Sequence, residues 1–118
     1  GHQVGDRVLQ LLAARLRHNL RVQDTLFRYG GEEFVILLSQ TNFQEAQIVA
    51  KRLRCVVSDQ PFHVDATLAL QITVSLGLAS LKMTDDTKGE SLLGRADQNL
   101  LRAKSSGRNQ VFCGEDHV

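Results

Sequence analysis

The sequence predicts an α/β sandwich of the α+β type, related to the ferredoxin-like arrangement, with a central, mainly antiparallel sheet and flanking helices. Three segments place apolar residues at helical spacing, and two segments rich in β-branched and aromatic residues flank Gly30-Gly31. The elements read in the order α-β-β-α-β-α-β. In the ferredoxin-like order, β-α-β-β-α-β, a strand precedes the first helix, and none is legible here.

Taken in order, Val8, Leu9, Leu12, Leu16 and Leu20 form one face of a helix over 6–20, leaving Arg7, Arg15 and Arg17 for solvent. Thr25 to Tyr29 and Glu33 to Leu38 form a hairpin whose Gly30-Gly31 supplies the positive φ angles of a tight turn. Asn42 caps a second helix that buries Ala46, Val49, Ala50, Leu53 and Val57 and stops near Pro61. Ala69 to Ala79 reads as a strand, paired with Phe62 to Ala66, and 81–89 is polar and turn-like. A third helix over 91–104 buries Leu93, Ala96, Leu100 and Ala103, with Gly107 placed for a left-handed C-terminal residue. A short strand over 110–113 closes the order.

The 118 residues suffice for one domain and are too few for two, so the chain is read as a single domain over 1–118. Fourteen Lys and Arg against 13 Asp and Glu leave a net charge of +1, which gives no reason to expect a nucleic-acid partner. Any anion binding must be local. Cys55 and Cys113 form neither a CxxC pair nor a disulfide framework, which favours reduced thiols in a cytosolic setting. The longest apolar run, Phe34 to Leu38, is far short of the ~20 residues that span a bilayer. A cytoplasmic location is expected, including as the cytoplasmic domain of a membrane-anchored parent.

Arg28-Tyr29-Gly30-Gly31-Glu32-Glu33-Phe34 puts two adjacent carboxylates at the tip of a hairpin. Strand side chains alternate between faces, so at most one of Glu32 and Glu33 addresses a given site, and the glycines admit a bulky ligand to the backbone. Magnesium is commonly held by one or two carboxylates plus substrate phosphates, which makes one of these glutamates a candidate ligand. The same residues also suit a solvated hairpin end, and spacing alone leaves both readings open.

That heptapeptide resembles the signature of GGDEF domains in its GGEEF form, and three further segments resemble the same family in the right order. Gly1-His2-Gln3-Val4-Gly5-Asp6 with Leu9 is similar to its GHxxGDxxL segment, and Thr73 to Ala79 to its later strand. Ala96-Asp97 through Ala103-Lys104-Ser105-Ser106-Gly107-Arg108-Asn109 is similar to its ADxALYxAKxxGRN, with Leu101 in place of the usual tyrosine. The resemblance implies a nucleotidyl-cyclase-type fold and a diguanylate cyclase, which condenses two GTP into cyclic di-GMP with release of pyrophosphate. It implies Mg2+ (or Mn2+) as cofactor, a homodimer for catalysis, and an upstream sensor or regulatory domain in the parent protein.

By the same resemblance, Glu32 and Glu33 are catalytic, with Glu32 also the metal ligand. His2, Asp6, Gly30, Gly31, Lys104 and Arg108 bind substrate, Asp6 at the guanine edge and the two cations at phosphate oxygens. Arg21 and Asp24, an RxxD pair just upstream of the hairpin, match the family's inhibitory site for the product, with Arg52 or Arg54 of a neighbouring subunit as candidates to complete it. The family's preceding strand and helix, whose DxDxFKxxND segment supplies a second metal ligand, are not among these residues. A partial GGDEF domain, inactive alone, is therefore expected. The alternatives are a catalytically silent cyclic di-GMP sensor and a dimerisation or scaffold module.

Overall fold

The computed structural model describes residues 2–114, except for the side chain of His2; Gly1 and residues 115–118 lie outside the described residues. The elements are α1 (His2–His18), β1 (Thr25–Gly30), β2 (Glu33–Leu37), α2 (Phe43–Asp59), β3 (Phe62–His63), β4 (Ala69–Leu70), β5 (Leu76–Gly77), α3 (Glu90–Ser105) and β6 (Val111–Phe112). The strands pair as β1-β2 and β3-β4, both antiparallel, and β5-β6, parallel. This is the expected α+β class with mostly antiparallel pairing. The chain divides into two compact units, residues 1–40 with 55–72, and residues 41–54 with 73–118.

In the first unit, α1 contacts β1 and β3, and among the described residues the buried apolar side chains are Leu12, Leu16, Val57 and Phe62, the last two fully buried. Helix α1 ends at His18 rather than Leu20 because the last turn tightens: Asn19 N–H donates to Leu16 O (3.0 Å) and Leu20 N–H to Arg17 O (3.2 Å). Arg15 departs from the solvent-facing role expected of it. Its guanidinium donates to the carbonyls of Val56 (3.3 Å), Val57 (3.1 Å), Gln60 (2.7 Å) and Pro61 (3.1 Å), and its Cζ lies 3.6 Å from the centre of the Phe62 ring. The physical reason is that the end of α2 leaves carbonyls without intrahelical donors, and a long cation within reach supplies them.

The start of α2 belongs to the second unit and follows the sequence reading: Asn42 Oδ1 accepts from Glu45 N–H (2.8 Å), while Glu45 Oε1 accepts from Asn42 N–H (3.3 Å). This is the reciprocal capping box. Ala46, Ala50 and Leu53 are buried along the predicted stripe. Helix α3 packs on β5 and β6, burying Ala103 together with one polar residue, Asn99, whose Nδ2 donates to Leu78 O (2.9 Å). Strand β5 approaches α3 so closely that a Cβ on Gly77 would overlap the Ala96 carbonyl oxygen and the Leu100 backbone.

The single strand expected over 69–79 is instead two short ones, β4 and β5. Residues 71–75, Gln-Ile-Thr-Val-Ser, have strand composition but no ladder partner among the described residues, and composition without a hydrogen-bonding neighbour does not make a strand. In the loop before α3, Arg95 forms an ion pair with Asp85 and donates to Ser80 O (3.0 Å), while Asp86 accepts from Ser91 N–H (2.7 Å) and Glu90 N–H (3.2 Å). The loop is thereby tied to the first turn of α3.

Two predictions follow from these contacts. Gly77→Ala has no relief available, because the overlapping atoms are helix backbone; denaturant melts should show a loss of about 3 kcal/mol, with a neutral result contradicting the close approach. Asp85 is held at a pKa of about 2, chiefly by the hydrogen bond from Arg95 and then by those from Lys82 N–H and Ser91 Oγ. A depressed carboxylate pKa means stabilisation that is complete above the unfolded value near ~4 and is lost as pH falls towards 2. Melting curves of wild type and Asp85→Asn should therefore converge over that interval, and a constant gap would refute the assignment.

Candidate functional site

The hairpin places the acidic signature differently from the simple turn expected. Gly30 is the last residue of β1 and pairs with Glu33, the first residue of β2, so the two-residue loop is Gly31-Glu32 rather than Gly30-Gly31. Only Gly31 of the two glycines has positive φ, at 46°. The register shifts between Arg28 and Gly30, leaving Tyr29 as the extra residue of a bulge, and that shift moves the turn along by one position. Arg28 closes the loop, its Nε and Nη2 donating to Gly31 O at 2.8 and 2.5 Å.

Glu32 consequently stands exposed at the tip, whereas Glu33 is half-buried at the start of β2. A Cβ on either Gly30 or Gly31 would meet nothing within 4 Å, so neither packing nor, at Gly30, backbone conformation demands glycine. An open concavity of about 620 Å3 is lined by Val4, Gly5, Asp6, Val8 and Leu9 of α1, Glu32 of the loop, and Leu70 of β4. Two of the candidate residues, Asp6 and Glu32, thus share one hollow, and Glu33 is not part of its lining. The apolar wall was missed by the sequence reading, which assigned Val8 and Leu9 to the core face of their helix. His2 begins α1, but its side chain is outside the described set.

Among the described residues no cluster of three His, Cys, Asp or Glu side chains stands ready for a metal. Glu32 is nevertheless an exposed oxygen donor at an open hollow, which fits a divalent cation whose remaining ligands come from a phosphorylated substrate and water.

The RxxD pair is preformed. Arg21 grips Asp24 with Nε to Oδ2 (3.1 Å) and Nη2 to Oδ1 (3.0 Å), Arg21 N–H adds a third bond to Oδ2 (2.9 Å), and Arg21 Nη2 also reaches Ser39 O (3.2 Å). Asp24 is buried, and these bonds from Arg21 hold its carboxyl below the usual carboxylate range against the opposing effect of burial. The Arg21 side chain keeps 39% of its surface exposed. Arg17 braces the same turn from α1, donating to Asp24 O (2.7 Å) and Arg21 O (2.5 Å).

Lys104 and Arg108 belong to the second unit, at the C-terminal end of α3. The helix ends in a Schellman turn: Ser106 N–H donates to Arg102 O (2.9 Å), Gly107 takes φ 115°, and Arg108 N–H returns to Ala103 O (2.9 Å). Arg108 and Asn109 are also left-handed, with φ of 63° and 49°. For a residue with a Cβ this costs roughly 1 kcal/mol or more, and somewhat less for Asn. Lys104 is half-buried in the last helical turn and Arg108 is exposed.

Among the described residues, no helix is long and apolar enough to cross a membrane. Known proteins agree with the architecture and the signature. The family model for the diguanylate cyclase GGDEF domain matches residues 1–110. Response regulator PleD of Caulobacter vibrioides is 44% identical over 112 residues, covering 94% of this chain and 24% of PleD. Diguanylate cyclase DgcP of Pseudomonas aeruginosa is 40% identical over 111 residues, covering 94% of this chain and 16% of DgcP. The chain therefore spans a quarter or less of these relatives. Among solved structures, the GGDEF domain of DgcB from Caulobacter crescentus in complex with c-di-GMP superposes with a TM-score of 0.88 at 32% identity, covering 98% of this chain and 67% of that one. The active GGEEF domain of a diguanylate cyclase from Vibrio cholerae gives 0.84 at 32% identity, covering 96% and 70%. The chain belongs to the GGDEF domain family of diguanylate cyclases.

Proposed function

We propose that residues 1–118 form a partial GGDEF domain that supplies one GTP half-site of a diguanylate cyclase. The observation that carries this reading is the hollow that Asp6 of α1 and Glu32 of the hairpin loop line together. Two carboxylates at an open hollow suit a ligand that brings N–H donors to one and metal-bound phosphates to the other. The relatives named as diguanylate cyclases, and the neighbour solved with c-di-GMP, support GTP and cyclic di-GMP as the ligands.

In this reading Asp6 accepts hydrogen bonds from the guanine edge, an acceptor-only carboxylate meeting N–H donors. The apolar wall of Val4, Val8, Leu9 and Leu70 excludes water from one side of the nucleotide. Lys104 and Arg108 bind phosphate oxygens, and Glu32, which would hold Mg2+, takes the proton from the ribose 3′-hydroxyl as its oxygen attacks the α-phosphorus of a second GTP and pyrophosphate leaves. The metal, when bound, offsets phosphate charge and aligns the reacting groups. One domain presents one GTP, so two copies face each other across a two-fold axis. Arg21 and Asp24 form a product-binding site in which the Arg21 side chain, 39% exposed, meets guanine or phosphate acceptors.

A catalytically silent cyclic di-GMP sensor would need only the Arg21–Asp24 pair, and two measurements separate it from the enzyme. The full-length parent protein, incubated with GTP and Mg2+ and analysed by chromatography, should make cyclic di-GMP, and its Glu32→Ala variant should lose at least about 100-fold of that rate. Absence of product from a folded, dimeric parent would sink the enzyme reading. Calorimetric titration of cyclic di-GMP should show binding that Arg21→Ala weakens by about tenfold or more; equal binding by the variant would remove Arg21 from the product site.

A further inference from the structure

The turn after α3 is held by more than its Schellman bonds. Three consecutive residues, Gly107, Arg108 and Asn109, have positive φ, and only the first is glycine. Asn109 N–H donates to Ser75 Oγ (3.1 Å), and Asn109 Oδ1 accepts from Arg54 Nη1 (3.1 Å). Gln110 Nε2 donates to the carbonyls of Ser106 (2.8 Å) and Arg108 (3.1 Å). All of these residues lie in one unit. Residue 108 is thus fixed from both sides, by Ala103 through its own N–H and by Gln110 through its carbonyl, while the residue after it is anchored to α2 and to the segment leading into β5.

A helix C-terminus is satisfied once its Schellman bonds are made, and these were complete at Arg108 N–H. Bonds that hold the following residue left-handed add nothing to the helix; their effect is on where the chain of Arg108 leaves the backbone. We propose that Ser75 and Asn109, with Arg54 bracing Asn109, are positioning residues that fix the strained backbone of Arg108 so that its guanidinium is presented to a phosphate group of the substrate. This rests on the proposed reading of Arg108 as a phosphate-binding residue. Left-handed conformation at a non-glycine residue persists only where its surroundings over-determine it, and such positions concentrate where a side chain must be aimed.

The test uses the full-length protein and measures KM for GTP, kcat and the melting temperature together. Arg108→Ala should raise KM at least about tenfold. Ser75→Ala, which strips the Asn109 N–H of its acceptor, and Asn109→Gly, which keeps the left-handed backbone while losing the bond from Arg54, should each raise KM about threefold to tenfold, the size of one lost hydrogen bond. In both, kcat stays within about twofold of wild type, and Ser75→Thr, which retains the hydroxyl, restores KM. A merely structural role would lower the melting temperature and leave KM unmoved. If Arg108→Ala raises KM but Ser75→Ala and Asn109→Gly do not, the positioning role is wrong while the phosphate role stands; if Arg108→Ala leaves KM unchanged, the phosphate role of Arg108 falls and the positioning role falls with it.

Discussion

The carbonyl groups that a helix leaves unpaired at its C-terminus are the constraint around which this structure is organised. A helix of any sequence ends with about four such acceptors, and burying them without donors costs about 1–3 kcal/mol each. In the first unit the acceptors near the end of α2 are met by a side chain from another helix: Arg15 reaches four carbonyls between Val56 and Pro61 and lays its guanidinium on Phe62. That one cation joins α1 to the strand that follows α2. In the second unit the acceptors at the end of α3 are met locally, by the reversal of the chain through Gly107 and Arg108. Two solutions to the same problem have two consequences, since the first ties a second helix to the end of α2 and the second reverses the chain directly after α3.

The hairpin obeys a related constraint. A two-residue loop requires a backbone that ordinary residues avoid, and Gly31 supplies it at φ 46°. Because the bulge at Tyr29 advances the register, Glu32 takes the second loop position instead of the first strand position. Glu32 therefore lines the same hollow as Asp6, four residues after the start of α1, rather than alternating with Glu33 along a strand face. The hollow is a product of where the turn falls.

Much of this was legible in the sequence because it depends on residue type and spacing. The three helices, the hairpin and the Asn42 cap are of that kind, and Gly107 marks the end of α3 because glycine adopts a left-handed conformation cheaply. What stayed hidden depends on reach. Nothing in the spacing of α1 distinguishes Arg15 from Arg7, yet one caps a distant helix and the other is exposed. Asn99 sits on the buried face of α3, where a count of apolar residues passes over it, because Leu78 offers it a carbonyl. Strand 69–79 was over-read for the opposite reason: Ile72, Thr73 and Val74 have the right chemistry, but a strand also needs a neighbour. The paired carboxylates of the signature were visible, whereas the difference in exposure between them followed from a one-residue bulge that no composition records.

The Arg21–Asp24 pair has a structural role that is compatible with the binding role proposed for it. Asp24 is buried with every bond in the pair directed at it, so its ionised form is part of what keeps the turn before β1 in place. A buried carboxylate deprived of its cation is strongly destabilising, which makes the arginine necessary to the fold in proportion to the burial of its partner. Yet the Arg21 side chain, bonded to Asp24 and Ser39, keeps 39% of its surface exposed. Its orientation is already determined before any ligand arrives, so an anion meeting it has no side-chain entropy of alignment to overcome. Arg17, bonded to the carbonyls at both ends of the turn, extends that rigidity back to α1, the helix that carries Asp6. Within this unit, the turn that bears the RxxD pair and the helix that lines the hollow are therefore joined by a single guanidinium.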